Sequence, residues 1–218
     1  MLVVRSVVVG PFSMNAYLLA CGETGEAVLV DPGAEVPRLL AMAEPGWRIG
    51  RIFLTHGHVD HVAGAARARA ATSARLSIHA ADEDWLRSLP RQAEMYGFEG
   101  AEVPTVDIRH ADGDELALGR HTGHVLHTPG HSAGSCSLWF PEDDILLTGD
   151  TLFSGSVGRT DLPGGDFDTL SASIREKLFP LGDEVTFHPG HGPAGNLGEE
   201  RRLNPFVGES PPGRGLHY

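Results

Sequence analysis

Three histidines and one aspartate lie within the six-residue run His56-Gly57-His58-Val59-Asp60-His61. In an extended segment, residues two apart point to the same side, so His56 and His58 can converge on one metal ion. The chain must then turn, and Asp60 and His61, at the start of a following helix, can face a second ion. Because neutral imidazole and carboxylate oxygen suit zinc, iron or manganese, the run predicts metal chemistry.

The same residues also allow a purely structural interpretation. Asp60 is a good N-cap for a helix predicted over residues 62–71, and a lone histidine is usually a packed or surface residue. However, three histidines and an aspartate within six positions are rare in a chain that holds 12 histidines among 218 residues. The clustering therefore favours metal ligands.

Three more candidate ligands follow predicted strands, at the junctions where such residues are usually mounted. His131 lies in Thr128-Pro129-Gly130-His131-Ser132, after a strand predicted over residues 121–126. Asp150 follows the apolar run 145–148, and His191 follows a strand predicted over residues 185–188. Each residue alone is as typical of a turn as of a ligand. Their order after the histidine-rich run indicates one shared site.

Together these motifs resemble those of the metallo-β-lactamase superfamily, from about Asn15 to Pro205. The resemblance implies two divalent metal ions, with zinc favoured and iron or manganese as alternatives. It also implies that Asp60 and Asp150 are catalytic, holding the metals and accepting proton density. The implied ligands are His56, His58 and His131 on one metal and Asp60, His61 and His191 on the other, with Asp150 bridging both.

Asp31, in Leu29-Val30-Asp31-Pro32-Gly33, resembles an acidic residue that lies beneath the site in this family. There it would orient the histidine loop without touching a metal, and a role in the turn alone is the alternative. His188, three residues before His191, could imitate a ligand, but its place in a predicted strand favours packing. No function is predicted for the remaining histidines, which are His79, His110, His121, His124, His127 and His217.

Within the family, residues 147–153, 158–161 and 198–205 look like the glyoxalase II group, and the chain is most similar to its short bacterial members. This resemblance implies hydrolysis of a thioester such as S-lactoylglutathione by a hydroxide held between two metals. Full-length members carry a further helical domain, which is not expected in the short stretch after His191.

The positions that contact substrate differ from that group. Arg159 and Asp161 stand where the group uses Lys and Tyr, and Pro193 stands where another Tyr is expected. Arg159 is predicted either to pair with a substrate carboxylate or to form an ion pair with Asp161 or Asp166.

Two other branches of the family offer alternatives. Residues 158–161 also look like the persulfide dioxygenases, whose single iron would map onto His56, His131 and Asp150 and whose substrate is glutathione persulfide. The ending His191-Gly192-Pro193 favours the hydrolase. Zinc β-lactamases are mostly exported, and many carry a cysteine at the position of Asp150, which this chain does not.

The composition disfavours several kinds of partner. The formal net charge is −12, whereas nucleic-acid binding needs a basic face. No apolar run is long enough to span a bilayer, and residues 1–11 lack the cationic region of an export signal. We therefore expect a cytoplasmic enzyme that acts on a small thioester, with glutathione as the candidate thiol, and with Cys21 and Cys136 as reduced core thiols. The oligomeric state is not predicted.

The elements that must position the ligands follow from apolar patterning and turn residues. Two rounds of strands followed by helices predict a mixed α/β fold, with two sheets packed face to face between helices, a four-layer αββα sandwich. Residues 1–218 are predicted to form one domain with a loosely held tail over residues 208–218. Predicted strands cover residues 3–9, 17–21, 27–31, 51–55, 75–79, 106–110, 115–118, 121–126, 136–140, 145–148 and 185–188, and predicted helices cover 36–43, 62–71, 82–89 and 167–179.

Overall fold

The computed structural model describes residues 1–210. Its strands form two six-stranded sheets and a two-stranded ribbon. Of the predicted loosely held tail, residues 208–210 donate backbone hydrogen bonds to the carbonyl groups of Asn204, Arg201 and Arg202. Residues 211–218 lie outside the described part of the chain.

Six strands form the first sheet in the order of the chain: β1 (Leu2–Val9), β2 (Met14–Cys21), β3 (Glu26–Val30), β4 (Arg48–Phe53), β5 (Arg75–His79) and β6 (Ile108–His110). The first three are antiparallel, and β3 to β6 are parallel. Parallel neighbours need crossover connections, and helices lie in the three connections between these strands. The histidine-rich run follows the end of β4.

The second sheet contains β7 (Glu115–Leu118), β8 (His121–His127), β9 (Cys136–Phe140), β10 (Ile145–Gly149), β13 (Thr186–Pro189) and β14 (Gly195–Asn196). Its spatial order is β14-β13-β10-β9-β8-β7, and only β10 and β13 are parallel. Between β10 and β13 the chain leaves the sheet and forms the ribbon of β11 (Leu152–Phe153) and β12 (Ser156–Val157).

The described part of the chain also forms seven α-helices. They are α1 (Val36–Leu40), α2 (Val59–Val62), α3 (Ala65–Thr72), α4 (Glu83–Arg87), α5 (Leu89–Tyr96), α6 (Phe167–Ser173) and α7 (Leu197–Leu203). The chain continues from α6 into a π-helical turn at Ile174–Leu178.

Three separate apolar clusters reveal four layers. In the first, Leu18 and Ile52 of the first sheet pack with Leu39, Ala68 and other helical residues. The middle cluster joins residues of both sheets, such as Phe53 and Phe140. In the third, the second sheet packs against α6, its π-helical extension and α7. The predicted four-layer αββα sandwich is therefore confirmed.

The helices differ most from prediction around the histidine run. The helix predicted over residues 62–71 corresponds mainly to α3, and a separate short helix, α2, ends at Val62. Gly64 lies between the two helices and packs closely against the backbone of Pro32. An added Cβ at Gly64 would be 2.4 Å from the carbonyl oxygen of Pro32. Since α2 begins at Val59, its N-cap is His58, and Asp60 lies inside the helix instead of capping it. The capping interpretation of Asp60 was wrong.

Helix α5 was not predicted from the sequence. Its polar and apolar residues are mixed, and its buried side is narrow, formed by Leu89, Gln92 and Ala93. Within residues 1–210, no helix combines the length and the apolar character needed to cross a membrane.

Candidate metal centre

The predicted ligands lie where loops of the two sheets meet. His56 and His58 follow β4 of the first sheet, whereas Asp150 and His191 follow β10 and β13 of the second. A backbone hydrogen bond joins the two sheets at this edge: the backbone N–H of Asn15 donates to the carbonyl oxygen of Gly190 at 2.7 Å. The site is thus assembled from distant parts of the chain.

All seven predicted ligands come together. Their ligand atoms form three overlapping groups, within each of which the atoms lie no more than 4.8 Å apart. The groups are His56, His58 and His131; Asp60, His61 and His191; and His56, His61 and Asp150.

The Asp150 carboxylate lies between the first two groups. Its Oδ1 is 3.3 Å from Nε2 of His61, and its Oδ2 is 3.6 Å from Nε2 of His131 and 3.5 Å from Nε2 of His191. Both carboxylate oxygens therefore face ligand nitrogens, and together they lie near nitrogens of both groups.

Hydrogen bonds fix the orientation of the histidine rings. Nδ1 of His131 lies 2.8 Å from the carbonyl oxygen of Arg159, and Nδ1 of His61 lies 2.9 Å from Oδ2 of Asp31. Both of these oxygens can only accept, so in each ring Nδ1 carries the proton. A neutral ring then presents an unprotonated Nε2 to the centre of the site.

His56 is oriented through a hydroxyl group. The Thr55 hydroxyl donates to Oδ2 of Asp31 at 2.6 Å, so its oxygen accepts from Nδ1 of His56 at 3.0 Å. His56 therefore also presents an unprotonated Nε2. This atom lies 3.2 Å from the unprotonated Nε2 of His131, and no proton separates the two lone pairs.

This arrangement fits a bound cation. Nε2 of His61 and Oδ1 of Asp150 are buried, and neither has a hydrogen-bond partner among residues 1–210. When His61 is neutral, these converging acceptors are buried without a donor, which is unfavourable, and a divalent ion would satisfy them in place of a proton. Imidazole nitrogens together with two carboxylates are a donor set that zinc, iron and manganese accept.

The protonation states agree with this interpretation for most of the ligands. Burial lowers the pKa of His56 well below its ordinary value and that of His58 to about 3, so both rings are neutral. Burial alone would raise the pKa of Asp150, but the neighbouring His61 holds it below its ordinary value. His61 and His191 are the exceptions. Burial opposes protonation of both rings, but Asp150, Asp60 and Asp31 raise the pKa of His61, and Asp60 and Asp150 raise that of His191. A cation would have to displace these protons.

Asp31 lies beneath the histidine run, as predicted from the sequence. Only 2% of it is exposed, and it accepts hydrogen bonds from the backbone amide and the hydroxyl of Thr55 and from His61. One buried carboxylate thus orients both His61 and, through Thr55, His56.

A second buried carboxylate, Asp82, was missed in the sequence. It accepts from the amide of Gly57 at 2.8 Å, the amide of Gly134 at 2.6 Å and the hydroxyl of Ser132 at 2.7 Å. Asp82 therefore ties the loop that holds His56 and His58 to the loop that holds His131. Its position just before α4 resembles an ordinary helix start, so the sequence carries no signal of this role.

Close backbone approaches also shape the centre. A Cβ added at Gly190 would lie 2.2 Å from Oδ1 of Asp150 and 2.6 Å from Cε1 of His61. At Gly158 it would lie 1.9 Å from the carbonyl oxygen of Asp150. Both positions therefore require glycine for steric reasons.

Arg159 forms an ion pair at the edge of the site. Its Nε and Nη2 donate to the two carboxylate oxygens of Asp161 at 2.7 and 2.8 Å, and both side chains are exposed. Asp166 is not involved, because it caps α6 by accepting from the amide of Thr169. This is the ion-pair alternative of the sequence analysis, and a substrate contact by Arg159 stays a prediction.

The other histidines lie outside the three ligand groups. His188 packs edge to face against Tyr17, with ring centroids 5.7 Å apart, and His217 lies beyond residues 1–210. Cys21 and Cys136 are buried free thiols.

Comparison with known proteins identifies relatives along almost the whole chain. A family model described as the metallo-beta-lactamase superfamily matches residues 9–193. The hydroxyacylglutathione hydrolase GloC of Haemophilus influenzae is 35% identical over 212 residues, which cover 94% of this chain and 97% of the relative.

Solved structures share the fold. BLEG-1 B3 metallo-beta-lactamase has a TM-score of 0.86 at 34% identity, covering 94% of this chain and 99% of its own. TTHA1623 in a di-iron-bound form has a TM-score of 0.83 at 39% identity, covering 93% and 99%. ETHE1 from Myxococcus xanthus has a TM-score of 0.77 at 31% identity, covering 95% and 86%.

Proposed function

The chain belongs to the metallo-beta-lactamase superfamily and is a metallohydrolase of that family; we propose that its centre binds two divalent ions and that its substrates are thioesters. One observation carries this proposal. Two groups of three ligands face each other across the Asp150 carboxylate, and protein hydrogen bonds fix unprotonated nitrogens on the inner side of His56 and His131.

We assign His56, His58 and His131 to one ion, Asp60, His61 and His191 to the other, and Asp150 to both. Zinc is our first candidate, and iron and manganese are alternatives that the same donors accept. The di-iron-bound form of TTHA1623 makes iron a serious alternative. When bound, such ions supply Lewis acidity, which lowers the pKa of a water to about 7 and polarises a carbonyl oxygen.

The protein residues position these reactants. Asp60 lines the cavity above the centre, and its Oδ2 lies 3.1 Å from Nε2 of His191. Asp60 and Asp150 hold the centre together and accept proton density from the attacking water. The leaving thiolate is a weak base, so the reaction needs no separate proton donor.

The chemical class of the substrate is supported by a relative. GloC is named a hydroxyacylglutathione hydrolase, and a thioester such as S-lactoylglutathione is therefore the first substrate to test. We also propose a cytoplasmic location and a small-molecule partner. The net charge of −12 disfavours nucleic acid, and the two buried free thiols suit a reducing compartment.

A persulfide dioxygenase is the second candidate. Residues 158–161 resemble that group, and ETHE1 is among the structural neighbours. A single iron on His56, His131 and Asp150 would suffice for that reaction. The histidine-rich run does not separate the two reactions, and the ending His191-Gly192-Pro193 is the reason that the hydrolase is favoured.

One preparation with measured metal content can decide between the two reactions. It is assayed for hydrolysis of S-lactoylglutathione, for oxygen consumption with glutathione persulfide, and for cleavage of a β-lactam, since BLEG-1 is named a B3 metallo-beta-lactamase. We expect thioester hydrolysis without oxygen consumption. Oxygen consumption without hydrolysis would replace the proposed function with the dioxygenase.

A further inference from the structure

An open cavity of about 430 Å³ leads to the metal centre. Its floor contains ligands of both groups, including His58 and His191. Most of its remaining lining is apolar or aromatic: Phe12, Val59, Trp85, Tyr96, Phe153, Val157 and Leu162. The polar reaction centre is thus reached between apolar walls.

The aromatic residues flank the centre on both sides. The Trp85 ring stands edge to face on His58 of the first ligand group, with centroids 4.5 Å apart. The Phe153 ring stands edge to face near His191 of the second group, at 6.1 Å. A carbonyl positioned over the two groups would therefore have an apolar surface on each side.

At the mouth of the cavity, aromatic residues continue the apolar wall on the side of Trp85. Phe12 and Tyr96 are 44% and 42% exposed, a large exposure for aromatic residues. Phe12 is nevertheless held in place by edge-to-face contacts of 5.6 Å with Tyr96 and with Phe98, and Phe98 is itself buried. Preorganised exposed aromatic rings beside a reaction centre are typical of a binding surface.

The cavity offers little to bind negatively charged groups outside the metal centre. Among its described lining residues, Arg159 is the one with a guanidinium or ammonium group, and its charge is paired with Asp161. The amide of Gln92 is also engaged, through hydrogen bonds with the backbone of Val59 and Trp85. Glutathione carries two carboxylates, and these walls provide no unpaired cation for either.

We infer that this enzyme prefers thioesters that are apolar on both sides of the carbonyl, with an aromatic acyl group and an uncharged thiol, over conjugates of glutathione. This inference rests on the proposed thioester hydrolase and specifies its substrate. The aromatic walls bind the apolar groups, and the paired Arg159 gives glutathione no advantage.

Four substrates separate the contributions of the acyl group and the thiol. They are the lactoyl and phenylacetyl thioesters of glutathione and of the neutral thiol N-acetylcysteamine. We expect kcat/KM for the neutral phenylacetyl thioester to exceed that for S-lactoylglutathione by about tenfold to a hundredfold, the factor that burial of one aromatic group supplies. We expect glutathione to give no gain over the neutral thiol with either acyl group.

Variants of Phe12 and Tyr96 test whether these side chains bind the apolar part of the substrate. Phe12→Ala and Tyr96→Ala are expected to raise KM for the phenylacetyl thioesters several-fold, without changing metal content. Phe206→Ala is the matched control, because Phe206 is 46% exposed and is not among the residues that line the cavity. Binding of a non-hydrolysable phenyl thioether, measured by calorimetry, provides a readout that does not depend on turnover and should weaken in the same two variants.

The outcomes distinguish this inference from the function on which it rests. Preferred hydrolysis of S-lactoylglutathione, with the two wall variants matching wild type, would overturn the inference and leave the thioester hydrolase standing. Failure of the metal-loaded wild type to hydrolyse any of the four thioesters would overturn the proposed function, and the inference with it.

Discussion

Oδ2 of Asp31 accepts a hydrogen bond from Nδ1 of His61 at 2.9 Å, and both side chains are almost completely buried. The contact places the ring proton on the outer nitrogen, so Nε2 faces Asp150 and Asp60. Asp31 lies on the outer side of the His61 ring. It therefore determines which ring nitrogen of this ligand faces the centre.

Asp31→Asn tests this relationship. The residue has φ of +49°, a conformation that asparagine tolerates, so the backbone should be retained while the carboxylate is lost. We expect metal affinity to fall by about 10- to 100-fold, measured by competition with a chelator. Asp144→Asn is the matched control, since Asp144 has φ of +51° and lies away from the site. Equal affinities for wild type and Asp31→Asn would limit Asp31 to a turn role.

Asp82→Ala tests the connection between the two histidine loops. Three buried donors, on Gly57, Ser132 and Gly134, would lose a charged acceptor. We expect the free energy of unfolding to fall by about 2–4 kcal/mol, together with weaker metal binding. Asp84→Ala, at an exposed position of the neighbouring helix, should change neither quantity. If the folded Asp82→Ala variant bound metal as tightly as wild type does, the role of Asp82 would be limited to stabilising the fold.

His110 predicts acid sensitivity of the fold. Burial lowers its pKa from the ordinary 6.5 to about 3, and its ring is stacked on Phe53 at 4.5 Å. Between these values the unfolded chain binds a proton that the folded chain does not, so stability is lost as the pH falls below 6.5. At about 1.4 kcal/mol per pH unit, His110 accounts for a loss of about 2 kcal/mol by pH 5.

The variant His110→Phe keeps the ring stack and removes the titrating group. Denaturant unfolding at pH 8 and pH 5 should therefore show a smaller acid-induced loss in the variant than in wild type. Identical losses in both proteins would show that His110 does not titrate as its burial indicates.

Arg159→Ala should have little effect on substrate binding. Because its guanidinium is already paired with Asp161 at an exposed position, its loss should raise KM for S-lactoylglutathione by less than about threefold. Asp161→Ala frees the guanidinium and should lower that KM. A large rise for Arg159→Ala, absent with a neutral thioester, would restore the predicted contact with a substrate carboxylate.

The ligand positions could be predicted because their signals are local. His56, His58, Asp60 and His61 lie within six residues, and His131, Asp150 and His191 each follow a predicted strand, of which the strand before Asp150 is strongly apolar. Strand periodicity likewise supported the two sheets, since buried strands differ clearly from their polar turns. The sequence therefore predicted the features that depend on residues close together in the chain or on a regularly repeating pattern.

The remaining features depend on tertiary contacts. Asp82 accepts from residues 25 to 52 positions away, and His131 is oriented by a backbone carbonyl 28 residues later. A carbonyl group is present in every residue, so no side-chain pattern reveals that partner. The break between α2 and α3 has a similar origin, because Gly64 is needed where the chain passes Pro32.

A two-metal centre that shares Asp150 is tested most directly by metal analysis of purified protein after equilibrium dialysis. We predict close to two ions per chain in wild type and in His124→Ala, which lies outside the ligand groups. In Asp150→Ala both ions should be weakened together, because its carboxylate faces both groups. One iron per chain in fully loaded wild type, or two ions retained in Asp150→Ala, would contradict the account.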